Sequence, residues 1–268
     1  EIVRGDWSSD VCSSDLYASV RPAYPALVVD QLVEMTRRSL ADHSAGKSDP
    51  AGEQCPRIAD IGAGTGKMSA LIAEHGICVE AVEPSEAMRQ QMSEALEERS
   101  PRWRHLIAIH DGTAEDTGLP TGSVDLVVYA QSWHWVDEEL ASHEASRILK
   151  DRGGIGVVWN QMDVSIPWVH RLTRIMRSGD VHRPDKPPSF SSQFTEPVLG
   201  LVNFEERITP EDILRLGTTR SSYLRQNEGG RARMQDNLRW YLYEHLAYEP
   251  GKPVIIPYTT LVWTAYKR

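Results

Sequence analysis

The chain has 268 residues, 40% of them hydrophobic and 25% charged, with 29 Lys and Arg against 38 Asp and Glu. That length suits one larger α/β domain, or a domain with a small cap, and is ample for a hydrophobic core. A net charge of −9 offers no general attraction to nucleic acid or to an anionic membrane surface, and no apolar run reaches the length of a membrane span.

The first stretch, EIVRGDWSSDVCSSDL, has neither helical nor strand periodicity. Read back into codons, Asp6 to Asp15 matches GAC TGG AGT TCA GAC GTG TGC TCT TCC GAT, which resembles a common short-read sequencing adapter. Residues 1–16 are therefore expected to be non-native, with the protein's own sequence starting at Tyr17. Leaving out Arg4 and the four acids of that stretch gives 28 basic against 34 acidic residues, a net charge of −6. Of three cysteines, Cys12 belongs to the same stretch. Cys55 and Cys78 show neither zinc spacing nor a disulfide framework, which implies a reducing, cytoplasmic setting.

PALVVDQLVEMTRRSLA predicts an amphipathic helix with Val28, Leu32 and Met35 on one face and Pro25 near its start. A polar loop follows. RIADIG then predicts a buried strand, and TGKMSALIAEHG a helix with Met68, Leu71, Ile72 and His75 inward, ended by Gly76. ICVEAVEP is a second strand, after which Ser85 can cap a helix carrying Met88, Met92 and Leu96. Further strands are predicted at HLIAIH, VDLVVYA and GIGVVWN, with the helix DEELASHEASRILKDRGG before the last of these. This rhythm predicts an α/β fold: a Rossmann-like, mostly parallel sheet with helices on both faces. Past Asn160 come a Pro-rich loop, helical patterns near 210–226 and 230–247, and a terminal strand, VIIPYTTLVWTAYKR. The organisation expected is one domain over 17–268, with a core of about 56–160, a small helical cap from 17–42 and about 161–250, and a last strand at about 253–266.

The most informative stretch is IADIGAGTGKMSA, a strand running into Gly62, Gly64 and Gly66 and then a helix, so that backbone can approach a ligand closely. A P-loop needs Gly where Ile61 stands and a hydroxyl where Met68 stands. A dinucleotide fingerprint needs G-x-G-x-x-G, whereas this loop reads G-x-G-x-G. A NAD-dependent oxidoreductase, and a cofactor-binding protein without turnover, are the alternative readings of the same sheet.

Asp60-Ile61-Gly62-Ala63-Gly64-Thr65-Gly66 resembles the D-x-G-x-G-x-G motif of class I S-adenosylmethionine-dependent methyltransferases, whose sheet has seven strands. On that resemblance Asp60 lies near the amino group of the cofactor's methionine part, and Glu83, ending the second strand, accepts both ribose hydroxyls, for which two carboxylate oxygens are suited. DGTAEDTGLPTGSVDLVVYAQSWHWVD and YASVRPAYP are similar to a subgroup that includes trans-aconitate methyltransferase, as are TPEDILRLGTTRSSYL and IIPYTTLVW. The subgroup match implies that Thr113, Ala114 and Glu115 frame the adenine, that Gln131, His134 and Trp135 line the mouth, and that the segment holding Tyr17, Arg21 and Tyr24 folds over the cofactor on the acceptor side. It also implies a small-molecule acceptor with a carboxylate oxygen to methylate; that neither nucleic acid nor membrane is a partner is expected from the acidic charge balance.

Methyl transfer is an in-line displacement, so positioning supplies much of its rate. A carboxylate acceptor needs no base; a phenol, amine or carbon acid does, and His134 is the candidate. Tyr17, Tyr24, Trp133 and Trp135 are suited to face a sulfonium, each with packing as its plainer role. Arg21, Arg220 and Arg225 could pair with an acidic acceptor. His170, His182 and His245 show no metal-ligand spacing, and no metal is expected.

Overall fold

The computed structural model describes residues 21–44, 55–98, 101–178 and 182–268. The glycine-loop strand β1 (Arg57–Ile61) lies near the middle of one seven-stranded sheet with β2 (Cys78–Val82), β3 (Ile107–His110), β4 (Val124–Ala130), β5 (Leu149–Met162), β6 (Val198–Ile208) and β7 (Val254–Tyr266). The order is β3-β2-β1-β4-β5-β7-β6. The β3-β2-β1-β4-β5 pairings are parallel, and β7 runs antiparallel to β5 and β6.

The central strands are apolar because both of their faces are covered. Ile58, Leu126 and Val128 point to one face, where they meet α1 (Ala26–Ser44) and α2 (Lys67–Glu74) through Leu32, Met68 and Ile72. Ala59, Ile61, Val127 and Tyr129 point to the other, against Ala141, Ala145 and Ile148 of α5 (Glu138–Ile148). This two-residue alternation is the pleat of a strand. The α1 and α2 face also carries α3 (Glu86–Glu98), through Met92 and Leu96, and the short α4 (Pro101–Arg104), through Trp103; α3 is started by Ser85, whose Oγ accepts from Met88 N–H at 3.4 Å.

A third apolar cluster forms the cap. There α6 (Pro167–Ile175), α7 (Pro210–Thr218), α8 (Ser221–Leu224) and α9 (Glu228–Arg239), with a π-helical turn at Trp240–His245, gather Leu172, Ile213, Leu216 and Leu238 over Met162, Ile256 and Tyr258 of the sheet. The two long helical patterns of the sequence are thus each broken in two.

Several expectations are corrected. The helix α1, expected in the cap, is a layer of the sheet. Glycines make room for it in β5: a Cβ on Gly156 would stand 2.9 Å from Leu32, and one on Gly154 3.1 Å from Met35. Residues 198–208, also expected in the cap, are the edge strand β6. The helix through LKDRGG ends instead at Ile148, because Leu149 already pairs with Val124 in β5. His75 faces solvent, 3.7 Å from Asp30, since it caps the end of α2 after the buried face has passed. Cys55 and Cys78 form a disulfide with Cα atoms 5.9 Å apart. The parallel register pairs Arg57 with Cys78 and so brings the two cysteines together at the amino ends of β1 and β2.

Candidate cofactor and acceptor site

Ligands of open α/β sheets bind outside the carboxyl ends of the strands, where strand order reverses. Here that place lies between β1 and β4. After Ile61 the chain turns through Gly62, Gly64 and Gly66, with φ of 69°, 58° and 78°. Gly62 and Gly66 are also demanded by packing, because a Cβ would stand 2.6 Å from Ser132 and 2.5 Å from Met92 respectively. Gly64 differs, with no atom within 4 Å of its absent Cβ. The loop therefore presents bare backbone to open space.

Two carboxylates flank it. Asp60 is fully buried; its Oδ2 accepts from Ser69 Oγ at 2.6 Å, while Oδ1 has no hydrogen-bond partner among the described residues. Burial pushes its pKa from 3.8 up to about 6, with the charge of Glu83 adding to the rise and Ser69 opposing it. Glu83 ends β2; its Oε2 accepts from Gly64 N–H and its Oε1 from Ser85 N–H, both at 2.9 Å. Burial raises its pKa too, against those two bonds and the nearby Arg89. Each carboxylate oxygen retains a further lone pair for a ligand hydroxyl. Arg89 donates to Glu83 C=O at 2.7 Å and to Asp111 at 2.9 Å, holding the strand end.

Thr113 makes a turn, accepting from Asp116 N–H at 3.1 Å. Ala114 is buried in the core, and Glu115 accepts from Asp137 N–H at 3.0 Å, next to the start of α5. Gln131 leaves β4 with φ of 63°, a conformation rare outside glycine, and its Nε2 donates to Asn160 C=O at 2.7 Å. The next turn exposes His134 and Trp135 but buries Trp133, whose ring packs edge-on to Tyr129. Trp133 is a core residue.

The segment from Arg21 crosses this edge. Lys67 Nζ donates to Arg21 C=O, Asn160 Nδ2 donates to Ala23 C=O at 3.2 Å, and Arg21 Nη2 donates to Thr219 C=O at 3.2 Å. The strap thereby joins the start of α2, the end of β5 and the cap. Tyr24 packs against the α1 side of the core. Arg21 and Arg220 both lie near Tyr258, whose hydroxyl is pushed up to about 12 by burial against their charges. Arg225 is exposed on the cap. Tyr17 lies outside the described residues, as do residues 1–16.

The sequence position of His182 carries no signal that it belongs to this site. Its ring stacks on Trp159 at 3.9 Å and stands 5.5 Å from His134, and its backbone exchanges hydrogen bonds with Gln161 at 2.7 and 2.9 Å. Only the fold-back of the Pro-rich loop brings it there.

Comparison with known proteins agrees with this geometry. Residues 59–157 match the family described as Methyltransferase domain. The uncharacterized methyltransferase Rv3342 of Mycobacterium tuberculosis is 32% identical over 246 residues, covering 91% of this chain and 90% of its own. An uncharacterized methyltransferase of Schizosaccharomyces pombe, C25B8.09, is 27% identical over 77% of this chain and 76% of its own. The solved structure of a putative type II methyltransferase from Anaeromyxobacter dehalogenans aligns over 92% of this chain and 97% of its own, with a TM-score of 0.60 at 23% identity, a likeness of fold. The chain belongs to the methyltransferase family, and its seven-stranded sheet is the fold of the class I members. The nicotinamide-dependent alternative is not favoured. No helix among the described residues is long and apolar enough to cross a membrane.

Proposed function

We propose that this chain binds S-adenosylmethionine along the glycine loop and transfers its methyl group to a carboxylate oxygen of a small organic acid. The observation that carries the cofactor site is Asp60: a buried carboxylate with one oxygen held by Ser69 and the other without a partner among the described residues, beside a loop open at Gly64. Such an oxygen suits a cationic N–H donor. Asp60 would hold the cofactor's amino group, Glu83 its ribose hydroxyls, and Thr113, Ala114 and Glu115 its adenine. Gln131, His134 and Trp135 would line the mouth, with Arg21, Tyr24 and Tyr17 on the acceptor side. The bound cofactor supplies an activated methyl group on a positive sulfur. The chain supplies alignment and exclusion of water.

The acceptor reading rests on the subgroup resemblance and on two arginines, Arg21 and Arg220, beside Tyr258. A carboxylate needs no proton removed, so His134 would orient it. The test is methyl transfer to a panel of small acids, phenols and amines, with His134→Ala alongside. Turnover of acids, retained in His134→Ala at a raised KM, is expected. Turnover confined to nitrogen or carbon acceptors would overturn the acceptor class. We also propose a cytoplasmic setting, without nucleic-acid or membrane partners; the Cys55–Cys78 bridge counts against a reducing compartment, so the pair must be found reduced in rapidly quenched cells for this setting to stand, and finding it oxidised there would overturn it.

A further inference from the structure

We infer that Ser69 is a positioning residue for the cofactor's amino group, acting through Asp60; the inference rests on the proposed cofactor site. Ser69 is the third residue of α2, on the face that buries Met68, Ile72 and Ala73, and is itself fully buried. A serine there is costly to a core unless its hydroxyl is bonded, and its Oγ is bonded to Asp60 Oδ2 at 2.6 Å. With the Ser69 backbone also acting on Asp60, that bond helps set which oxygen remains. With Oδ2 held toward the helix, Oδ1 is the buried acceptor left for a donor from outside the chain.

The bond also acts on the proton. Burial favours the neutral acid, and Glu83, at the end of β2, is the charged group acting on Asp60 among the described residues, in the same direction. Ser69 donates to the ionised form through its hydroxyl and backbone and opposes both. Without its hydroxyl, Asp60 would hold a proton further toward neutral pH and would compete less well for an ammonium group. The Ser69 hydroxyl bonds Asp60 and not Glu83 or residues 113–115, so on the proposed site its effect would be confined to the methionine end.

This separates it from a residue that merely supports the loop. The experiment is calorimetric titration of the full chain with two probes across pH 5–8: S-adenosylhomocysteine, which carries the amino acid end, and 5′-methylthioadenosine, which lacks it. In Ser69→Ala, affinity for S-adenosylhomocysteine at pH 7 is expected to fall about tenfold and its acid limb to move up, as loss of a charge-assisted bond implies, while 5′-methylthioadenosine binds as before. Ser69→Cys, close in size and a weak donor, should shift both readouts the same way and serves if the alanine variant fails to fold. Equal weakening of both probes, or no change in either, would overturn the inference. Failure of the unsubstituted chain to bind either probe would instead overturn the cofactor site itself.

Discussion

The backbone N–H of Gly64 donates to Glu83 Oε2 at 2.9 Å, tying the loop after β1 to the end of β2. One carboxylate therefore shapes the loop and, on the proposed site, would also face the ligand. Glu83→Gln keeps an acceptor for Gly64 but loses the charge and one of two equivalent oxygens; Glu83→Ala loses both functions. Affinity for S-adenosylhomocysteine should fall at least tenfold in the first and further in the second, by the size of hydrogen bonds to charged groups. Titration calorimetry checks the order, and equal losses would separate loop shape from ligand contact.

Asp60 links stability to pH in an inverted sense. Its pKa rises from 3.8 to about 6 on folding, so the folded chain holds this proton more tightly than the unfolded one. Its contribution to stability is greatest below pH 3.8, declines as pH climbs to about 6 and is level above. Asp60→Asn removes the buried charge and should raise the melting temperature of the ligand-free chain at pH 8, by up to about 3 kcal/mol of stability, with no gain at pH 4. The same variant should lose cofactor affinity. Melting curves at both pH values, with and without ligand, measure the trade.

Gly62 and Gly64 should respond differently to alanine. Gly62→Ala sets a Cβ 2.6 Å from Ser132 and should cost about 2 kcal/mol or more. Gly64→Ala meets nothing within 4 Å, so only its left-handed φ resists, at about 1 kcal/mol, yet its methyl would stand in the proposed cofactor's space. Denaturant titration should find Gly64→Ala the less destabilised of the two, while calorimetry finds it much weaker for S-adenosylhomocysteine.

How much of this was legible in sequence depends on range. The strands β1, β2 and β4 read as short, largely apolar runs, each interrupted by one carboxylate (Asp60, Glu80, Asp125), because both faces are covered, and the loop and Glu83 follow from a local motif. The edge strand VLGLVNFEERI hides behind its exposure: Leu201, Asn203, Glu205 and Arg207 alternate toward solvent, and its partner β7 lies some fifty residues on. The place of α1 depends on two glycines in β5, more than a hundred residues away. Asn160, which holds Gln131, Ala23 and Thr260 together, carries no local signal at all.

The cysteine bridge shows the same limit, since a parallel register cannot be read from spacing. It closes a loop of 23 residues' separation at the amino ends of the strands, away from the glycine loop. Cys78→Ser or reduction should lower stability by about 3 kcal/mol and leave S-adenosylhomocysteine affinity unchanged. Thiol titration before and after reduction, followed by melting, tests both halves.

The most direct test of the cofactor site is calorimetric titration of S-adenosylmethionine and S-adenosylhomocysteine into the folded chain and into Glu83→Ala. Saturable binding of both at one site, lost in the variant, is the predicted result. Binding that survives Glu83→Ala undiminished, or a folded chain that binds neither, would contradict the site described between β1, β2 and β4.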